Sequence, residues 1–322
     1  MPHKRKSIFT DASVPGNPVA PKDAATVILL RPSDPGPFEV LLMKRHENQS
    51  FMGGAHVFPG GALEAQDDDP VLARRVSDLT PAKAAARLGE PDLDPAKVIG
   101  LYFAAVRETF EECGVLLGLG PTDDAVFRPG PEARLKLLSG ELTLPDLAEA
   151  QDLRFDFSRM IPHARWITPE SEPRRFDTRF MVARLPPGQV PTPDAREMTR
   201  MQWLTPEKAL ALQAKGEILL MPPTLKTVSE LRLYASIDRI LTAAAARTPK
   251  TICPKVFISG SEFGIKLPDD PQYEVSDATL TADQAVRSRV VMRNGRWQLM
   301  SAQAFFSGVD TDSTGPVAGD SA

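Results

Sequence analysis

The stretch AAVRETFEECGVLL, residues Ala104 to Leu117, decides how the chain is read. Glu108, Glu111 and Glu112 stand within little more than one helical turn of each other. Like charges at that spacing repel by a few tenths of a kcal/mol per pair. On a helical wheel, at ~100° per residue, Glu111 and Glu112 fall within roughly 60° on either side of Glu108. Phe103, Val106, Phe110 and Cys113 gather at the opposite pole, and Ala104 and Ala105 flank the acidic face with little bulk. One face therefore packs into a core and the other presents three carboxylates. Two readings of that face compete. It is a solvated acidic surface, or it is a site for a hard cation such as Mg²⁺, which prefers carboxylate oxygens and would offset the repulsion.

The rest of the chain bounds the answer. It has 322 residues, 42% of them apolar and 25% charged, an ordinary globular balance. The net charge is −4, from 38 basic and 42 acidic residues, so nothing in it asks for nucleic acid or an anionic membrane. Two distant cysteines, Cys113 and Cys253, make neither a disulfide framework nor a zinc site. The basic start lacks an apolar h-region and reads as a tail, not a signal peptide. No apolar run is long enough to span a bilayer. A soluble protein of the reducing cytoplasm is expected.

Working outward, order is expected from about Ala25. ATVILLR and FEVLLMKR flank RPSDPGP and read as a β-hairpin. AHVFPGG reads as a short strand and a tight Pro-Gly-Gly turn. Thr80-Pro81 and Asp94-Pro95 are helix starts, with Gly89 and Gly114 as stops. ARLKLL and LPDLAEAQ give two more short helical patterns, and HARWITP, RFDTRFMVARL and MTRMQWL turn β-like. Thr205-Pro206 to Gly216 reads as a helix, and the run from Met221 to Ala246 as a longer one. KVFISG, FGIKLP and a hairpin around Asn294-Gly295 follow. The alternation indicates an α/β protein with helical insertions. The expected divisions are a tail over 1–24, a core domain over 25–247, a β-rich extension over 248–306 and a tail over 307–322. Within the core domain stand a helical insertion at about 68–100 and a helical cap at about 121–157.

Spacing separates the two readings of the acidic face. Arg107, Glu108, Glu111, Glu112 and Gly114 spell R-E-x-x-E-E-x-G. Chance supplies that roughly a few times in ten thousand chains of this size. It is the second half of the Nudix hydrolase signature, and the chain resembles that family. The first half, G-x5-E, is matched by Phe58-Pro59-Gly60-Gly61, with Asp67 where Glu is expected and Glu64 at another frequent acidic position. The family pattern leaves 13 residues between its Gly and its Arg. Here Ala62 to Val106 is 45, an excess of 32 placed in a loop, where added length costs little entropy. SFMGGAHVFPGGALE, PRRFDTRFMVARLP and MQWLTPEKAL resemble the branch of the coenzyme A diphosphatases over roughly Ala25 to Ala245.

The resemblance implies a Nudix-type α/β/α sandwich with a mixed sheet, helical insertions and a C-terminal β-containing extension. It also implies hydrolysis of a diphosphate joining a nucleoside to another moiety, with Mg²⁺ or Mn²⁺ as cofactor. Coenzyme A or its thioesters is the expected substrate. ADP-ribose or a dinucleotide is an alternative, and a non-catalytic domain that senses a nucleotide is another. By the resemblance Glu108, Glu111, Glu112 and the Gly61 carbonyl hold metal, and Glu111 also positions water. Glu112 belongs to the catalytic group as well, and Arg107 joins it by holding the helix and its glutamates through ion pairs. Glu197, before Trp203, is the further carboxylate expected as base or ligand, with Asp194 as its neighbour. Arg45, Arg175 and Arg179 are the candidate phosphate contacts, the last two on one face of a strand with Asp177. That row reads equally as a salt-bridge ladder. His46 and His56 read as structural, Cys113 as buried and inert, and Phe51 and Phe58 as core packing or a base stack. The insertion and the helices from Pro121 to Gln151 read either as a cap over the site or as a support for a homodimer.

Overall fold

The computed structural model describes residues 19–34, 36–49, 52–117, 130–194, 197–274 and 287–307. The expected tails lie outside them, but for 19–24 and Ser307, and so does the start of the expected cap. The first hairpin forms as read: β1 (Lys22–Arg31) and β2 (Glu39–Arg45) pair antiparallel, Leu30 opposite Val40. After β3 (His56–Val57), Gly60 and Gly61 lie in a short strand, β4 (Gly60–Ala62), and not in a turn. β4 pairs with β1, Gly61 opposite Ala25. A Cβ at Gly60 would meet the Ala25 carbonyl and Thr26 Oγ1 at 2.4 Å, so only glycine lets the two backbones approach.

The insertion is helical. It holds α1 (Pro70–Ala73), α2 (Pro81–Leu88) and the start of α3 (Pro95–Cys113). The caps follow the sequence: Thr80 and Asp94 accept from backbone N–H groups of the first turns, and Gly89 and Gly114 close the helices in the left-handed region. Beyond lie α4 (Pro131–Ser139), α5 (Leu144–Ala150), β5 (Met160–Ile167), β6 (Phe176–Arg184), β7 (Met198–Leu204) and α6 (Pro206–Lys215). The long helix expected from Met221 is two, α7 (Pro222–Leu231) and α8 (Ile237–Ala245). Ser236 breaks it, because its hydroxyl accepts from Arg239 N at 3.2 Å and starts a new helix.

The main sheet is mixed, in the order β3-β2-β1-β6-β5-β8, with β4 paired to β1 and β7 to β2. β8 (Lys250–Ile252) runs parallel to β5, so the extension begins inside the main sheet. The remainder forms a separate antiparallel sheet of β9 (Lys255–Ser259), β10 (Glu262–Lys266), β11 (Arg287–Arg293) and β12 (Arg296–Ser301), followed by α9 (Ala302–Ser307). Asn294 and Gly295 turn the last hairpin with φ of 50° and 73°, as a type I′ turn requires. The alternation of strand side chains divides the core in two. Val27, Leu29, Leu41 and Met181 pack against α2 and α3, and Ile28, Leu30, Leu42 and Val182 against α7, α8 and the second sheet. This is the expected α/β fold with a C-terminal sheet.

A buried ion network ties the insertion to the main sheet. Arg179 of β6 donates to both carboxylate oxygens of Glu90, at 2.9 and 2.6 Å, and to Asp23 of β1. Arg165 of β5 donates to Asp177 at 2.8 and 2.6 Å and pairs with Glu90 at 2.9 Å. Lys97 of α3 closes the group on Asp23 at 2.9 Å. Removing Arg179, the most deeply buried of its cations, leaves Glu90 and Asp177 short of one countercharge, which costs about 3–5 kcal/mol. Arg179→Leu is therefore expected to lower stability by that amount in urea with an unchanged slope. Arg184→Ala, which removes an exposed pair with Asp238, is expected to leave the urea midpoint where it was.

Candidate active site

The second half of α3 lies against β4, and Arg107 governs how. Its side chain is 1% exposed, and all five of its N–H donors are used. Nε and Nη2 grip Asp67 at 2.8 and 3.0 Å; Nη2 also donates to the Ala62 carbonyl at 2.8 Å. Nη1 is shared between Glu108 at 2.9 Å and Glu111 at 3.2 Å. Asp67 is 0% exposed and accepts the Glu64 N–H as well, so the acid at the first-half position holds Arg107. Arg107 is thus a positioning residue. Arg134 of α4 braces the same turn, with two nitrogens on the Glu111 carbonyl at 3.0 and 2.9 Å.

The glutamates meet the glycines. Glu112 Oε2 accepts the Gly60 N–H at 2.9 Å. A Cβ on Gly61 would come within 2.2 Å of Glu108 Oε1, so the bare backbone makes room for that carboxylate. Burial, and then the charge of Glu108, raise the Glu112 carboxyl well above its ordinary value. Glu108 is raised too, by burial against the pull of Arg107. Burial pushes Glu111 up to about 7, again against Arg107. Burial acts on Arg107 in the opposite sense, yet Asp67, Glu108 and Glu111 together keep it firmly cationic. The donors are right in kind for Mg²⁺ or Mn²⁺, being hard carboxylate oxygens beside a glycine cradle. Among the described residues no three acids, histidines or cysteines converge as a ready-made cage. Arg107 supplies the facing positive charge.

The acids stand at one end of a cleft of about 600 Å³. Thr26 of β1, Thr178 and Phe180 of β6 and Trp166 of β5 floor it, all on one face of the main sheet. Met221 to Thr224 at the start of α7, Pro254 and Ile265 line it as well. Glu197 and Arg45 join the near end, where the charge of Glu197 raises the Glu112 carboxyl and that of Arg45 lowers it. Asp194 accepts from the Glu197 N–H at 3.2 Å, and the Glu197 carbonyl accepts from His46 N at 2.8 Å. Arg45 Nη2 reaches Gln49 at 3.5 Å, and its buried Nε has no hydrogen-bond partner among the described residues.

Two expected phosphate contacts fall elsewhere. Arg179 belongs to the buried network, and Arg175 donates to the Thr168 and Val19 carbonyls at 3.0 and 2.7 Å. The shared face was read correctly, but it is the wrong face. Phe176, Thr178 and Phe180 point into the cleft, so alternation carries Arg174 there and turns Arg175 and Arg179 away. Among the described residues nothing from 68–100 lines the cleft, and 130–157 supplies only Leu138. Glu90 anchors the insertion to side chains that point away from the cleft floor. His56 is buried and held near 4 by burial and by Lys44; His46 accepts the Asn48 N–H at 3.1 Å. Cys113 is buried, its thiol pushed up to about 12. Phe58 meets Phe180 edge to face and lines the cleft, whereas Phe51 lies outside the described residues. Glu172, in the loop between β5 and β6, lines the cleft and was missed. Its burial comes from strands distant in sequence, so SEPRR carries no signal of it.

Residues 21–231 match the model of the NUDT19 Nudix domain. A human relative, acyl-coenzyme A diphosphatase NUDT19, is 30% identical over 75% of this chain and 75% of its own length. The chicken protein of the same name is 27% identical over 85% and 86%. The crystal structure of a Nudix hydrolase from Alicyclobacillus acidocaldarius superposes with a TM-score of 0.60 at 26% identity, covering 71% of this chain and 97% of that one.

The raised carboxyl of Glu111 has a measurable consequence. Its unfolded value is near 4.5 and its folded value about 7. The folded state thus binds the proton more tightly, and the stability this supplies is complete below about 4.5 and lost as pH rises through about 7. Without divalent ions, the wild type is expected to lose on the order of 1–3 kcal/mol relative to Glu111→Gln between pH 5 and pH 8. Urea titrations at both values check it, and a difference that grows in the other direction contradicts it.

Proposed function

The chain belongs to the NUDT19 Nudix family and is a Nudix hydrolase; on that premise we propose that it cleaves the diphosphate of coenzyme A or an acyl-coenzyme A. The observation that carries the reading is the approach of Glu112 to Gly60 and of Glu108 to Gly61, with Glu111 lining the same end of the cleft. The names of the human and chicken relatives support the substrate. A bound Mg²⁺ or Mn²⁺ would neutralise phosphate charge and acidify a water molecule.

In this reading Glu108, Glu112 and the Gly61 carbonyl hold the cation, with Glu111 completing the set and positioning water. Arg107 and Asp67 fix α3 so that the carboxylates stay aimed at β4. Glu197 takes the proton from the attacking water. The water oxygen bonds to one phosphorus as the bridging P–O bond breaks, and the bridging oxygen leaves with the other phosphate. The products are 3′,5′-ADP and 4′-phosphopantetheine, acylated or not. Arg45 meets the diphosphate, and Arg174 takes the part expected of Arg175 and Arg179 toward the 3′-phosphate. The catalytic domain is the segment expected over 25–247, extended to the start of β1. The setting is the reducing cytoplasm, in keeping with the free thiols of Cys113 and Cys253. No helix of the described residues is long and apolar enough to cross a membrane.

Mass spectrometry of a coenzyme A digest with Mg²⁺ or Mn²⁺ is expected to show both products. Glu112→Gln is expected to lower kcat at least about 100-fold while the protein stays folded. Cleavage of ADP-ribose with coenzyme A left intact would keep the reaction class and reject the substrate. A Glu112→Gln protein as active as wild type would reject the metal site itself.

A further inference from the structure

We infer that the end of the cleft remote from the glutamates is a recognition subsite for the organic part of the ligand, in which the Glu172 carboxyl accepts a hydrogen bond from an N–H donor. The inference deepens the proposed function and rests on it for the direction in which a ligand lies.

The place of Glu172 follows from the sheet. Gly61 pairs with β1, β1 with β6, and β6 with β5. The loop holding Glu172 joins β5 to β6, so it stands two to three strand spacings from Gly61, roughly 10–14 Å. That exceeds the span of a diphosphate. The walls there are apolar: Trp166, Phe176, Pro254 and Ile265. β8 runs beside β5 with Ile252 opposite Trp166, which carries Pro254 to the flank of the Glu172 loop. Pro254 and Ile265 come from the C-terminal extension, beyond the residues 21–231 of the family match. The extension thus contributes to the wall of this subsite.

Within that wall Glu172 is a carboxyl left uncommitted. It is 6% exposed, and its side chain has no hydrogen bond or ion pair among the described residues. Burial alone raises its carboxyl to about 7, with no neighbouring charge contributing. The carboxyl opens onto the cleft without a donor from the described residues, so a ligand N–H there replaces water and completes its hydrogen bonding. The surrounding apolar walls suit a flat or chain-like uncharged group. A nucleobase amine and an amide chain both provide that chemistry, and coenzyme A carries each.

Titration calorimetry in chelator, without turnover, tests this on the full chain. The ligands are coenzyme A, its hypoxanthine analogue, which lacks the base amine, and ADP-ribose, which lacks the amide chain. Glu172→Ala is expected to weaken coenzyme A binding ten-fold or more. Glu172→Gln, which keeps an acceptor oxygen, is expected to weaken it by less. An equal loss for ADP-ribose and none for the hypoxanthine analogue identifies the base amine. A loss for both coenzyme forms and none for ADP-ribose identifies the amide chain. An alanine variant within three-fold of wild type for coenzyme A overturns the subsite. So does a glutamine variant weaker than the alanine one, or a wild-type protein that binds none of the three. Hydrolysis by the wild type with Mg²⁺ is scored separately, so its failure counts against the proposed reaction and leaves the binding answer standing.

Discussion

The site depends on one buried guanidinium. Arg107 joins a strand-side acid, a strand carbonyl and two helix glutamates, and nothing smaller or more flexible could do all of it. The planar fork fits Asp67 with two parallel bonds, which a lysine could not form. Because α3 and β4 meet through this residue, the aim of the glutamates does not rely on the chain between them. That explains how the two halves of the signature can stand 45 residues apart and still converge. It also gives the aspartate at position 67 a reason: that acid is buried against the arginine, away from any ligand.

Much of this was legible in the sequence, for local reasons. Caps such as Thr80, Asp94 and Thr205 are written in the residues that make them. So are the I′ turn at Asn294-Gly295 and the division of α3 into an apolar and an acidic face. What failed depended on contacts between distant segments. Strand alternation put Arg175 and Arg179 on one face, but which face meets the cleft is set by the pairing of β6 with β1 and β5. Ser236 could continue a helix or cap one, and the packing of Ile237 and Ile240 against the core favours the cap. Gly60 and Gly61 read as a turn until β1 is placed beside them.

The additions divide the work between the two faces of the sheet. The insertion is locked to one face through the buried pairing of Glu90 with Arg179 and its partly exposed neighbours. The extension covers the other face and supplies apolar walls to the cleft. Length inserted at the first place leaves the ligand's surroundings untouched, whereas a change at the second place alters them directly. Part of the cleft wall thus comes from a segment that lies outside the part matched by the family model.

The full commitment of Arg107 has one more consequence. A guanidinium with every donor occupied has none to offer an anion, although it is the cation nearest the glutamates. The near end of the cleft holds Glu64, Glu108, Glu111, Glu112, Glu197 and Asp194 against Arg107 and Arg45. A cation held by these acids would relieve the repulsion that an anionic ligand meets there, and the ligand's charge would hold the cation in turn. Their affinities are linked, and by thermodynamic reciprocity each raises the other by the same factor. A pocket of this charge would thus hold an anion poorly by itself and better beside a cation.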